Sequence, residues 1–368
     1  MSEAKTSTTQ TSDIATICAH VGGDESAHVS PLVLASVMDF HTIESSLGPM
    51  EGAGYVYRRN GTPNGDELAT AVAALEGAER GVATGSGMAA ISAALLSQLK
   101  AGDAVVIPHD CYGGVRALAQ NELTRAGIEV RVVEIADAEA LAAALTGARV
   151  AFFETVSNPL LSVPDIGAAI AAARERGAIT IVDNTFSTPL RDRPIEVGAD
   201  LVVHSVTKFL SGHHDVIAGV IVGRRDLVLT AGASVVRLGL QASPLDCWLA
   251  VRGMRTLALR LERAWANAAL VAGALRERYE SVYSADRCAL VSFDAGSFDA
   301  ANELVSRLSL ITLSPSLGGV ATTASHPATS SHRALSREAR AAAGIGDGLL
   351  RLSIGIENAA DIVRDLAP

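Results

Sequence analysis

Between residues 66 and 223 the chain alternates short apolar runs with alanine-rich stretches, and this alternation constrains the fold more than any other feature. "DELATAVAALEGAE" carries apolar residues at helical spacing, "GVAT" is short and β-like, and "SGMAAISAALLSQLK" is helical again. The alternation continues through "DAVVIP", a helix over about 113–126, "EVRVVEI", "DAEALAAALTG", "RVAFFE", "DIGAAIAAARERG" and "AITIVDN". "DLVVHS" and "VIAGVIVG" are further strand candidates. Strands that are apolar throughout and separated by helices bury both faces, so the pattern predicts a largely parallel sheet covered on each side. The fold class is α/β.

After Pro244 the pattern changes to one long helical stretch, "LDCWLAVRGMRTLALRLERAWANAALVAGALRERY", which marks a domain boundary. Shorter segments follow, among them "ALVSFDA", "ANELVSRLSL" and "LLRLSIGIE", and they predict a smaller α+β unit. A chain of 368 residues exceeds one ordinary domain. The expected organisation is an N-terminal arm over 1–48, a large domain over 49–243 and a small C-terminal domain over 244–368. The first dozen residues are polar and read as a mobile leader, with order beginning near Ile14.

Charge and cysteine usage exclude several functions. A net charge of −10 disfavours nucleic acid and anionic lipid, both of which need clustered Lys and Arg. No apolar run approaches the roughly 18 residues of a membrane span, and the first residues lack the apolar core of a signal peptide, so a cytoplasmic protein is expected. Cys18, Cys111, Cys247 and Cys288 lie far apart and read as free thiols. The "GHHD" stretch lacks the spacing of common zinc sites, and no metal is expected. His213 and His214 are expected to support the loop after Lys208, and Ser86 has no His and Asp arrangement that would make it a hydrolase nucleophile.

In open α/β sheets reactive groups gather where strands end and loops lead into helices. Asp183 ends "AITIVD", Asn158 follows "VAFFE", and Ser205, Thr207 and Lys208 follow "DLVVH". A lysine between hydroxyls, preceded by a strand-end aspartate, supplies the parts that hold pyridoxal phosphate: a Schiff-base amine, phosphate ligands and a carboxylate for the pyridinium nitrogen. In "ATGSGMAAI" small residues open a helix whose amides suit a phosphate. The same glycines could begin a nicotinamide-binding fold, with Asp103 or Asp110 as the acidic residue, although the glycine pattern is incomplete.

The motifs "GSGMAAI", "PHDCYGG", "SNPLL", "VDNTFSTP", "GADLVVHSVTKFLSGHHDVIAGV", "RGMRTL", "SLGG", "EARAAAGI" and "LRLSIGIE" occur in an order that resembles the Cys/Met metabolism family of pyridoxal-phosphate enzymes, which includes cystathionine γ-synthases and γ-lyases. The resemblance runs from about residue 55 to 365. It implies the type I fold of pyridoxal-phosphate-dependent transferases, with a mostly parallel sheet in a large domain and a smaller α+β C-terminal domain. It also implies that Lys208 forms the Schiff base and acts as base, that Asp183 pairs with the pyridinium nitrogen, and that Tyr112 stacks on the ring and aids proton transfer at the leaving group. Gly87, Met88, Ser205 and Thr207 would hold the phosphate; Asn158, Ser316 and Arg351 would bind the amino acid substrate, Arg351 through its α-carboxylate. Tyr57 and Arg59 match residues that reach the phosphate of a neighbouring subunit, which implies a homotetramer of dimers sharing active sites.

The implied reaction is γ-elimination of the cystathionine γ-lyase type, with γ-replacement on an O-acylhomoserine as the alternative. "PHDCYGG" and "EARAAAGI" resemble bacterial γ-synthases, whereas the shortened C-terminal part resembles compact γ-lyases. Ala321 stands where the family usually has a glutamate near the distal end of the substrate, which weakens the assignment to cystathionine. The turn between Tyr283 and Leu290 is shortened and is expected to alter the entrance, and "NGTPN" with Arg58 departs from the usual subunit-contact pattern. Gly114 replaces the cysteine expected in a methionine γ-lyase. A non-catalytic paralogue is disfavoured because Lys208, Asp183, Tyr112 and Arg351 are all present.

Overall fold

The computed structural model describes residues 12–23, 27–333 and 335–367. The expected mobile leader falls almost wholly in residues 1–11, outside the described residues. Each expected apolar run forms a strand of the large sheet: β1 (Arg80–Thr84), β2 (Ala104–Pro108), β3 (Glu129–Val133), β4 (Val150–Glu154), β5 (Ile179–Asp183), β6 (Leu201–Ser205) and β7 (Gly219–Gly223). They lie in the order β1-β7-β6-β5-β4-β2-β3. From β3 to β6 every pairing is parallel, while β7 runs antiparallel to both β6 and β1. The sheet is therefore mostly parallel, as expected, with β7 as its one strand that runs against its neighbours. No helix separates β6 from β7, so the returning strand can only reverse.

Helix starts follow from side-chain chemistry. Thr62, Ser86, Asp137 and Asp165 each accept a hydrogen bond from the backbone N–H three residues on, satisfying an amide that has no partner within its helix. Gly77 ends the Pro63–Glu76 helix at φ 72°, a conformation that costs glycine little.

Burial alternates along the strands as pleating requires. Val106, Ala151, Phe153, Val182 and Val202 face one apolar layer, and Val105, Ile107, Phe152, Ile181 and Val203 face the other. A second sheet contains β8 (Val282–Ser284), β9 (Leu290–Asp294), β10 (Thr312–Leu313), β11 (Thr323–Ser325) and β12 (Leu349–Ser353), in the order β10-β11-β12-β9-β8. Its core joins Val291, Phe293, Leu350 and Leu352 to Ala268, Val271 and Leu275 of a long helix.

The single long helix expected after Pro244 is two, Pro244–Met254 and Leu257–Arg276. The break has a polar cause. The Arg260 guanidinium, buried against the Lys208 loop, donates to the carbonyls of Phe209, Leu210 and Gly253. Arg255 at the break reaches the carbonyls of Val21 and His28 at 3.0 and 2.7 Å. Helical periodicity continues through both helices and does not reveal where side chains capture backbone carbonyls. No helix among the described residues is long and apolar enough to cross a membrane.

Gly253 lets the first of these helices lie directly on the Lys208 loop, because a Cβ there would overlap the Ser211 carbonyl. Gly253→Ala should cost about 2 kcal/mol of stability, as overpacking does. The measurement is urea unfolding, and an unchanged midpoint would show that the contact can relax.

Candidate active site

Parallel pairing carries the ends of β2, β4, β5 and β6 to one edge, and two reversals bring the end of β1 to the same side. A cavity of about 630 Å³ opens there. Gly87, Met88, Ser205 and Thr207 line one part of it, and Tyr112, Asp183, Lys208, Asn158 and Arg351 line the rest. Ser316 joins them through its hydroxyl, which lies 3.1 Å from Lys208 Nζ. Residues spread over much of the sequence are thus brought to one place.

Lys208 sits in the turn after β6, its amide bonded to the Ser205 carbonyl at 3.1 Å. Burial and the nearby Arg351 cation both push its amine below the ordinary lysine range, which favours the neutral, nucleophilic form. His213 Nδ1 lies 2.6 Å from the Ser211 carbonyl, and the His214 ring packs on Gly319, so both histidines support this loop as expected.

Glu154 and Asp183 are directly paired in the β4–β5 register, which sets their side chains on the same face of the sheet. Glu154 is buried and Asp183 half-buried at the cavity, and desolvation pushes both carboxyl groups up. Glu154 also feels the charge of Asp183, while Asp183 is eased by the Thr185 amide, 2.9 Å from its Oδ1. Glu154 is thus pushed well above the usual carboxylate range, while the rise of Asp183 is opposed by its hydrogen bonds from Thr185. Glu154 Oε1 accepts from the Tyr112 amide at 2.7 Å and so anchors the start of the tyrosine loop. The Tyr112 ring leans over Gly114, where a Cβ would come 2.5 Å from the ring and 2.9 Å from Met88 Sδ.

Arg351, on β12 of the small sheet, donates to Asn158 Oδ1 at 2.8 Å. Its Nε is buried without a partner among the described residues. A buried guanidinium with unused donors, facing a cavity that also holds an amine, suits a carboxylate ligand.

Two expected positions stand apart. Arg59 donates to the Val236 carbonyl at 3.3 Å and lies 5.6 Å from the centre of the Tyr57 ring, and neither residue lines the cavity. Nor do Ala321, which is exposed, or any of residues 283–290. Arg287 of that shortened turn pairs with Asp192 instead.

Sequence reasoning missed Glu154, Thr185 and Arg333 of the cavity wall. It also missed a buried junction in which Glu76 Oε1 accepts from Asn184 Nδ2 and meets His204 Nε2, both at 2.7 Å. The available signal was polarity inside apolar runs: the Glu of "VAFFE" and the His of "LVVHS".

The pocket fits pyridoxal phosphate. A Cβ at Gly87 would lie 2.7 Å from Ser205 Cβ and fill the cradle between the helix N-terminus and β6. Ser205 Oγ has no partner among the described residues, whereas Thr207 Oγ1 already donates to the Ala218 carbonyl at 3.2 Å and accepts from its amide at 3.1 Å. Lys208 and Asp183 supply the amine and the carboxylate.

Comparison with known proteins agrees with this geometry. The family model "Cys/Met metabolism PLP-dependent enzyme" matches residues 15–368. The chain is 40% identical over 339 residues to a cystathionine beta-lyase of Bacillus subtilis, with 86% of each chain covered. It is 40% identical over 345 residues to an L-methionine gamma-lyase of Fusobacterium nucleatum, again with 86% of each covered. A crystal structure of cystathionine gamma synthase from Xanthomonas oryzae pv. oryzae, in complex with aminoacrylate and cysteine, superposes with a TM-score of 0.90 at 38% identity, covering 96% of this chain and 97% of that one. These similar proteins differ in the reaction they are named for. The chain belongs to the family of pyridoxal-phosphate-dependent enzymes of cysteine and methionine metabolism.

Proposed function

We propose that this enzyme catalyses γ-elimination on a sulfur amino acid of the cystathionine type, cleaving the Cγ–S bond. Cystathionine and water would yield 2-oxobutanoate, ammonia and cysteine. The observation that carries the reading is the shared cavity of Lys208, Arg351 and Tyr112: a base, a carboxylate clamp and a proton donor. The compact C-terminal part, which resembles γ-lyases, favours elimination. The γ-synthase superposition favours γ-replacement on an O-acylhomoserine as the second reading.

Bound pyridoxal phosphate supplies an electron sink that lets a Cα–H bond ionise. Lys208, Asp183, Ser205, Gly87, Met88 and Thr207 would hold it. Arg351 and Asn158 bind the α-carboxylate and orient Cα toward Lys208. The lysine amine, lowered by burial and by Arg351 toward its neutral form, removes the Cα proton and then one from Cβ, and Ser316 fixes its direction. Tyr112 gives a proton to the departing sulfur. Asp183 would pair with the pyridinium nitrogen, and its hydrogen bonds from Thr185 favour the charged form that this needs.

Tyr57 and Arg59 would complete the site of a neighbouring copy. In support, the segment before them exposes Leu34, Val37, Ile43, Leu47 and Met50, an apolar surface suited to a partner subunit. A homotetramer of dimers in the cytoplasm is the expected assembly.

Lys208→Ala should abolish the visible absorption band of bound pyridoxal phosphate and release of 2-oxobutanoate. A retained band would overturn the lysine assignment. Wild-type enzyme given cystathionine should form 2-oxobutanoate with cysteine; formation of a new thioether from an O-acylhomoserine plus cysteine, without 2-oxobutanoate from cystathionine, would select replacement. Gly114→Ala should push the Tyr112 ring aside and weaken cofactor retention by roughly threefold to tenfold, the value of an aromatic stack. Unchanged retention in a dialysis assay would show that the ring does not cover the cofactor.

A further inference from the structure

Two loops of the large sheet grip the small sheet at different places. At the first, Ser292 and Arg351, which face each other in the β9–β12 register, engage consecutive residues of the loop after β4. Ser292 Oγ donates to the Pro159 carbonyl at 2.7 Å, and Arg351 donates to Asn158 Oδ1 at 2.8 Å. A contact at one point leaves the angle of the sheet open. The second lies at the shortened turn between β8 and β9, where Arg287 pairs with Asp192 of the loop after β5.

Both partners of that ion pair are tied to the site. On the small sheet, Cys288, Ala289 and Leu290 next to Arg287 are buried in the same apolar layer as Val182 and Val202 of the large sheet. The Ala289 carbonyl accepts from the Ile354 amide at 2.9 Å, three residues beyond Arg351. On the large sheet, the Asp192 amide donates to the Thr188 carbonyl at 3.2 Å, and the Asp192 carbonyl accepts from Asn184 Nδ2 at 2.7 Å. Asn184 directly follows Asp183. Asp192 Oδ2 is buried without a hydrogen-bond partner among the described residues, so this carboxylate relies on its ion pair. The pair thus joins the strand end that carries Asp183 to the sheet that carries Arg351.

We propose that Arg287 is a positioning residue: its ion pair with Asp192 sets the angle at which the small sheet meets the large one, and so where Arg351 presents its guanidinium to an α-carboxylate beside Lys208. This rests on the reading of Arg351 as the carboxylate clamp and not on the fate of the γ-substituent. The shortened turn then acts from behind the clamp rather than at the entrance. A residue that only orients a clamp used alike in the ground and transition states changes KM and leaves kcat. Arg287 is 40% exposed, so salt screens its pairing.

Glycine carries the α-carboxylate and has no group to eliminate, so calorimetry of glycine binding to the holoenzyme reads the clamp without turnover. Arg287→Ala should weaken glycine binding and raise KM for cystathionine by about threefold to fivefold, the value of a partly exposed ion pair, with kcat kept within about twofold. The difference from wild type should shrink as salt rises. Arg287→Lys should recover most of the loss, and the exchanged pair, Arg287→Asp with Asp192→Arg, should bind glycine more tightly than either single variant. Unchanged glycine affinity in Arg287→Ala overturns the proposal, and so does a fall in kcat with KM unchanged. If cystathionine yields no 2-oxobutanoate, γ-elimination falls, and glycine binding still decides the role of Arg287. If Arg351→Gln binds glycine as wild type does, Arg351 is not the clamp and the proposal falls with it.

Discussion

The Glu76 carboxylate, fully buried at the end of the Pro63–Glu76 helix, is the junction on which the site depends. It binds Asn184, the residue after Asp183, and His204, the residue before Ser205. One carboxylate therefore ties the ends of β5 and β6, and with them the cavity residues Asp183 and Ser205. Leaving a buried polar group without its partner typically costs about 1–3 kcal/mol. Asn184 also donates to the Asp192 carbonyl at 2.7 Å, which extends the junction into the loop after β5.

Two charge gradients follow from how the sheet presents its edge. At the base, the β4–β5 register brings two carboxyl groups together, and burial pushes both up, Glu154 well above the usual carboxylate range. Across the cavity, Lys208 faces Arg351, and their repulsion adds to burial in lowering the lysine. Acid and base are thus tuned by neighbours that the catalytic residues cannot choose from their own segments. The small sheet contributes Arg351 to the cavity wall, so the fit between the two sheets shapes that cavity.

Much of the fold was legible in the chain because burial on both faces leaves an unbroken apolar run, as in "VAFFE" and "LVVHS". Where prediction departed from the structure, a polar side chain had intervened. Arg260 interrupts the helical stretch after Pro244 by binding carbonyls of the Lys208 loop, a contact between positions about 50 residues apart. The reversal of β7 was hidden because its residues are as apolar as those of a parallel strand.

By itself the sequence determined the chemistry: Lys208 just after the hydroxyls of Ser205 and Thr207 at a strand end, Asp183 at the end of the strand before it, and a glycine-opened helix at Gly87 suffice for pyridoxal phosphate. These are local signals, because strand ends and helix starts are written in adjacent residues. Only the tertiary structure decided which side chains tune and surround that chemistry. The pairing of Glu154 with Asp183, the closeness of Gly114 to the Tyr112 ring and the meeting of Arg351 with Lys208 in one cavity all arise from contacts between distant segments, and such contacts depend on register and packing that no short stretch encodes.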